Sequence, residues 1–126
     1  MLREQVATIQ AVLRKKYGGA ALDQSKADLA HLQRILDDGL YDDSHRDELR
    51  AMGAVFGNVL EKHLGFEWVA AQTAREEEPA LRLKTEKSLI VFPLRMIFDA
   101  VANGGRVDLT HMFRVVEGDV KATRKI

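Results

Sequence analysis

The side chains that could do chemistry are few and scattered. The four histidines, His31, His45, His63 and His111, fall in four different segments. No two are one helical turn apart, as the usual His-x-x-x-His zinc helix requires. The chain has no cysteine, which excludes disulfides, thiolate metal sites and a cysteine nucleophile. The serines Ser25, Ser44 and Ser88 lie near helix starts or turns, and none sits in a Gly-x-Ser-x-Gly elbow. Gly18-Gly19 and Gly104-Gly105 follow helical segments instead of preceding them, so neither makes a phosphate loop at a helix N-terminus. Asp37, Asp38, Asp42, Asp43, Asp47 and Glu48 form an acidic stretch, but the order of ligands in a calcium loop is absent. Helix caps and a solvated helix junction account for it, since Asp favours helix N-termini. The sequence therefore assigns no catalytic residue, no metal site and no cofactor.

What remains is recognition chemistry. Trp68, the single tryptophan, stands on an alternating stretch with Glu67 beside it and Arg82 on the next such stretch. Trp and Arg are the residues that dominate interface hot spots, while an alternating strand tends to bury one face. Trp68 is thus an interface anchor or a core residue, and Glu67 with Arg82 is an outward cross-strand pair. Arg95 follows Pro93 at an expected helix start, where a small anion could sit. Trp68, Glu67, Arg82 and Arg95 are the candidate binding residues. His63 falls on an apolar helical stripe and reads as a half-buried, hydrogen-bonded histidine.

The elements that must position these residues follow from periodicity. Leu2, Val6, Ile9, Leu13 and Tyr17 repeat at helical spacing over residues 2–17, ended by Gly18-Gly19. A second helix is expected from about Asp23 to Asp38, stopped by Gly39. A third and longest helix is expected over 44–64. Ser44 and Asp47 resemble a capping box at its start, and Leu49, Met52, Phe56, Val59 and His63 form its stripe. Gly53 and Gly57 lie four apart on it. Each glycine costs about 1 kcal/mol against alanine in a helix, so this face should be crossed closely by the sheet or by the first helix.

Residues 66–73 and 80–84 alternate as strands, with a polar loop at 74–79 between them. Ser88–Phe92 is nearly continuously apolar, as a central strand covered on both faces would be. Pro93 then opens a short helix ended by Asn103-Gly104-Gly105, and Asp108 caps a last helix stopped at Gly118. The fold class read from this pattern is α+β: three N-terminal helices, a three-stranded antiparallel β-meander and two short C-terminal helices. Residues 1–118 form the domain, and 119–126 read as a frayed tail.

The totals bound the class of function. At 126 residues the chain suits one domain with a real core. Its 19 basic and 19 acidic residues give zero formal charge, which argues against nucleic acid as partner and leaves self-association open. No apolar run approaches the length of a membrane span, and no apolar segment follows the charged N-terminus. A cytoplasmic protein without a membrane partner is the expectation.

Several stretches together carry a resemblance. These are Leu32-Gln33-Arg34-Ile35-Leu36-Asp37-Asp38, Gly53-x-x-x-Gly57-x-x-Leu60, Leu64-Gly65-Phe66-Glu67-Trp68, Leu81-Arg82-Leu83 and Ile90-Val91-Phe92-Pro93-Leu94-x-Met96-Ile97. Residues 22–117 resemble the bacterial domain-of-unknown-function family numbered 3806. The resemblance implies a small bacterial α+β domain with no assigned activity and no catalytic residue to carry over. It also sets a tight turn against the longer Arg75-Glu76-Glu77-Glu78-Pro79 loop read here. Two functions follow as expectations. One is a non-catalytic protein-interaction module, of immunity or adaptor type, whose partner is another protein or a second copy in a homodimer. The other is a small-ligand-binding or enzymatic domain, with a pocket between the sheet and the C-terminal helices where Glu67, Arg82, Arg95 or His63 converge.

Overall fold

A computed structural model describes residues 2–124. In chain order its elements are α1 (Leu2–Lys16), α2 (Ala27–Asp37), α3 (Arg46–Leu64), β1 (Phe66–Gln72), β2 (Glu77–Leu83), β3 (Ile90–Val91), α4 (Pro93–Ala102) and α5 (Leu109–Thr123). This is the α+β order expected from periodicity. The organising element is α3. Along its length Leu49, Met52, Phe56, Val59 and Leu60 are fully buried. It packs against α1 through Ile9 and Leu13, and against α4 and the sheet on its other sides.

The glycine face of α3 is crossed as closely as its composition implies, but not by α1. A Cβ on Gly53 would overlap the Pro93 carbonyl oxygen and stand 2.8 Å from Leu94 Cα. A Cβ on Gly57 would stand 2.6 Å from the Trp68 ring. The two missing methyl groups thus admit the first turn of α4 and the β1 tryptophan respectively. Gly65 closes α3 with φ +80°, a left-handed cap that glycine adopts without strain.

The sheet is the expected three-stranded antiparallel meander, and what differs is the strand at its centre. The strands run β1-β2-β3, all antiparallel, so β2 is central. The apolar Ser88–Phe92 run was expected in that place. It supplies only the two-residue edge strand β3, with Ile90 42% exposed, because Phe92 already serves as the N-cap of α4. The loop between β1 and β2 is also shorter than the polar composition of 74–79 suggests. Glu77 and Glu78 pair with Gln72 and Ala71, and the chain reverses over Thr73–Glu76, where the Thr73 N–H donates to the Glu76 carbonyl at 2.9 Å. Pro79 is tolerated inside β2 for a geometric reason. The N–H of Leu83 donates toward Leu89, on the β3 side, and alternation puts residue 79 on that same side beyond the end of β3. Proline therefore removes no ladder bond there.

Helix ends shift for local reasons. Helix α2 begins at Ala27, not Asp23, because Asp28 turns back to accept the N–H groups of Asp23 (3.3 Å) and Gln24 (2.9 Å) and holds residues 23–26 in a turn. The expected capping box at Ser44 does not form. Asp42 instead accepts from both the N–H and the hydroxyl of Ser44, and α3 starts at Arg46. Helix α5 passes through Gly118 to Thr123, since Val120 is buried in the core and repays the glycine. The frayed tail expected at 119–126 is therefore helical to Thr123, while Lys125 and Ile126 lie outside the described residues. Gln33 ties α5 back to α2: its side-chain amide donates to Val107 O at 2.8 Å and accepts from Leu109 N at 2.9 Å.

Candidate functional site

The four candidate residues take different places. Trp68 is half-buried on β1; its ring rests on Gly57 and its Nε1–H donates to Asn58 Oδ1 at 2.9 Å. It is wedged onto α3 with its one polar atom satisfied, which is how buried tryptophan usually behaves. Glu67 and Arg82 face each other in register and form the expected cross-strand pair at 3.3 Å. Arg95 is engaged by a residue outside the candidate set. Its Nε meets Glu78 Oε1 at 2.6 Å and its Nη2 meets Glu78 Oε2 at 2.7 Å. The carboxylate of Glu78 lies in a residue only 7% exposed, and its hydrogen bonds hold the Arg95 guanidinium above its ordinary pKa. His63 is exposed, not half-buried, with Nε2 3.1 Å from the Gln24 carbonyl. These groups do not converge.

The acidic stretch is spent on structure. Asp38 accepts from the Tyr17 hydroxyl at 2.8 Å, and Asp37 lies 3.8 Å from Arg106. Burial first, and the Asp38 bond second, push the Tyr17 phenol above its ordinary value. The Ser44 hydrogen bonds hold the Asp42 carboxyl below the usual range. Among the described residues there is no group of three His, Asp or Glu side chains placed to hold a metal ion.

A different region brings charge together. The tip of the β1–β2 hairpin stands across from the first two turns of α3 and the first two of α4. Between them is a cleft of ≈ 520 Å³. Arg46 and Arg50 enter it from α3, Arg75 from the hairpin turn and Arg95 from α4. Leu94 and Phe98 supply its apolar wall, and Glu76 and Asp99 its acidic members. Each arginine is placed by a local cause. Arg46 and Arg50 share a face because they are four apart on a helix. The Arg46 guanidinium lies 5.4 Å from the Phe98 ring centroid, and that of Arg95 4.8 Å from the Phe92 ring, both within cation–π range. Among the described residues Arg46, Arg50 and Arg75 form no ion pair.

The cleft meets in part the expectation of a pocket between the sheet and the C-terminal helices, since Arg95 lines it and Glu67, Arg82 and His63 do not, but sequence reading missed its other arginines. Arg46 was hidden in the helix-cap assignment at 44–47, and Arg75 and Glu78 in the supposed loop at 74–79. The available signal was the i,i+4 spacing of Arg46 and Arg50 at the start of the third helix.

Comparison with known proteins places this architecture. Residues 28–113 match the family model described as "Domain of unknown function (DUF3806)". The chain belongs to the DUF3806 family. The match runs from α2 into α5 and includes Arg46, Arg50, Arg75, Glu78 and Arg95. No curated protein matches the chain. A crystal structure at 1.50 Å resolution from Bacteroides thetaiotaomicron VPI-5482 is similar in fold, with a TM-score of 0.81 and 17% sequence identity over 91% of this chain. The DUF3806 chain spans 42% of that protein's length. No helix among the described residues is long and apolar enough to cross a membrane.

Proposed function

We propose that this DUF3806 protein is a non-catalytic protein-interaction module of bacterial cytoplasm, adaptor-like in action, that takes an acidic segment of a partner protein into the arginine-lined cleft. The observation that carries this reading is the set of three arginines, Arg46, Arg50 and Arg75, directed into one concavity without an ion-pair partner. A chain of zero net charge that gathers arginines in one cleft concentrates its positive potential there. Such a patch steers an oppositely charged partner and fixes its register. Arginine is also the residue of choice for pairing with carboxylates at interfaces. Leu94 and Phe98 give the cleft an apolar wall for the partner's non-polar side chains.

The test is titration with a fluorescein-labelled glutamate-rich peptide at low and at physiological salt. Saturable binding that weakens with salt is expected, because exposed charges are screened over about 8 Å at 0.15 M. The Arg46→Glu/Arg50→Glu double variant should lose at least about tenfold in affinity while keeping its Trp68 emission, since reversed rim charges oppose encounter. Equal binding by the double variant, or none by the unaltered protein at millimolar peptide, refutes the reading.

A further inference from the structure

Glu78 engages Arg95 side-on, through Nε and one Nη2 hydrogen. A guanidinium carries five N–H donors in a rigid fork. Three therefore remain: both on Nη1 and the second on Nη2. One hydrogen of each Nη forms the end-on edge of the group, and no acceptor among the described residues takes them. Arg95 is 45% exposed and lines the cleft, so its spare edge is open to a ligand. Two constraints fix the plane of that edge. The buried Glu78 carboxylate holds one side of the fork, and the Phe92 ring lies 4.8 Å from the guanidinium carbon. A guanidinium held in this way loses little freedom when it binds a second planar acid.

We infer that Arg95, oriented by Glu78, is a carboxylate clamp that seats one Asp or Glu side chain of the partner end-on, with a neighbouring apolar side chain against Phe98 and Leu94. The inference rests on the acidic-partner reading and names the contact that gives it specificity. The charge of the cleft favours a carboxylate over a phosphate. Four arginines share the cleft with Glu76 and Asp99, and Arg95 already pairs with Glu78, so the surplus there is a single positive charge, which one carboxylate balances. The geometry favours it as well, since two parallel N–H···O bonds match a planar acid. Glu78 is a positioning residue in this scheme and does not touch the ligand.

Two charge-matched substitutions separate a clamp from a merely positive cleft. The probe is a labelled peptide of alternating Glu and Phe, with Gln replacing Glu in the control. Arg95→Lys keeps the charge but loses the fork, and should weaken binding about tenfold or more, as one lost bidentate contact would. Arg14→Lys alters an exposed arginine of α1 that does not line the cleft, and should change affinity by less than about twofold. Glu78→Gln gives the sharper contrast. It adds net positive charge to the cleft, so a purely electrostatic site would bind the peptide more tightly. The clamp predicts weaker binding, because Arg95 loses its orienting carboxylate.

Trp68 emission and Tm verify that each variant is folded. Arg95→Lys retains a cation for Glu78 and serves if Glu78→Gln does not fold. Wild-type affinity in Arg95→Lys, or tighter binding by Glu78→Gln, overturns the clamp and leaves the interaction reading standing. Absence of peptide binding by the unaltered protein removes both. Tighter binding of the same peptide with phosphoserine in place of Glu overturns the carboxylate assignment.

Discussion

Two surfaces lie within three turns of each other on α3, and they are built on opposite terms. Around Gly53 and Gly57 the helix gives up its side chains so that Pro93, Leu94 and the Trp68 ring can come into direct contact with its backbone. Around Arg46 and Arg50 it extends long, charged side chains over open space. The first surface is fully used by the protein's own chain; the second is not. The difference teaches that stability and recognition are separable here although one helix carries both. Close packing tolerates little change of volume, whereas exposed charges away from caps and core contribute little to folding.

That separation can be broken from either side. The largest effect should come from Trp68→Ala, which removes the ring filling the notch at Gly57 and leaves Asn58 without its partner. A loss of about 3–5 kcal/mol is expected for deleting a large packed aromatic, read by chemical denaturation, with peptide affinity of the folded fraction unchanged. Gly53→Ala should follow. Its methyl would meet main-chain atoms of Pro93 and Leu94 that cannot rotate away, so overpacking of about 1–3 kcal/mol outweighs the roughly 1 kcal/mol helix gain of alanine. Gly57→Ala meets only side-chain atoms of Trp68 and Pro93 and should cost less. A stabilised Gly53→Ala would mean that α4 does not sit on α3 as described.

Asp28 offers a pH-dependent contrast. It is 2% exposed, and burial raises its carboxyl above the ordinary value of 3.8 against the opposing pull of the Asp23 and Gln24 N–H groups. A raised folded pKa means that its contribution is fully present below the unfolded value and declines as pH rises through the folded one. Asp28→Asn cannot ionise. The stability of the unaltered protein relative to this variant should therefore fall between about pH 4 and neutrality, in urea melts taken across that range. A relative stability that rises over the same interval would contradict the buried placement. The smallest folding effect should come from Arg46→Glu/Arg50→Glu, whose stability should stay within about 1 kcal/mol of the parent because these groups form no ion pair in the described structure. A larger loss would show that the cleft is structural and collapse the distinction between the two surfaces.

The sequence disclosed the packed surface far better than the open one. The apolar stripe of Leu49, Met52, Phe56 and Val59, and the two glycines within it, specify a buried helix with a close neighbour, because core positions leave a period. Of the two partners expected for that face, the sheet does cross it through Trp68 at Gly57, while α4 and not α1 covers Gly53. Periodicity records that a surface is covered, and cannot distinguish α4 from α1. The central place expected for Ser88–Phe92 fails for a related reason. Ser88–Phe92 is apolar because Leu89 and Val91 pack on the core and Phe92 leads into a helix, and an apolar run reads alike in each case. Glu78 was the least legible residue. A glutamate beside a proline in an acidic run looks solvated, and only the fold brings Arg95 to it from 17 residues away. Ligand-facing groups need no period, so Arg75 entered the cleft without a sequence signal, while Arg95 was marked only by the helix start at Pro93.

The two bonds of the Gln33 amide bear on the order in which the chain assembles. Neighbouring elements here meet across very different lengths of sequence: a tight turn joins β1 to β2, whereas Gly53 of α3 meets Pro93 of α4 from forty positions away. Gln33 joins residues 74 and 76 positions further on. Contacts that close such long loops form late, after local ones have lowered their entropic cost. Helix α5 should therefore dock late. Gln33→Ala should accordingly speed unfolding more than it slows folding in stopped-flow kinetics, so that this single amide acts as a latch on the C-terminal helix.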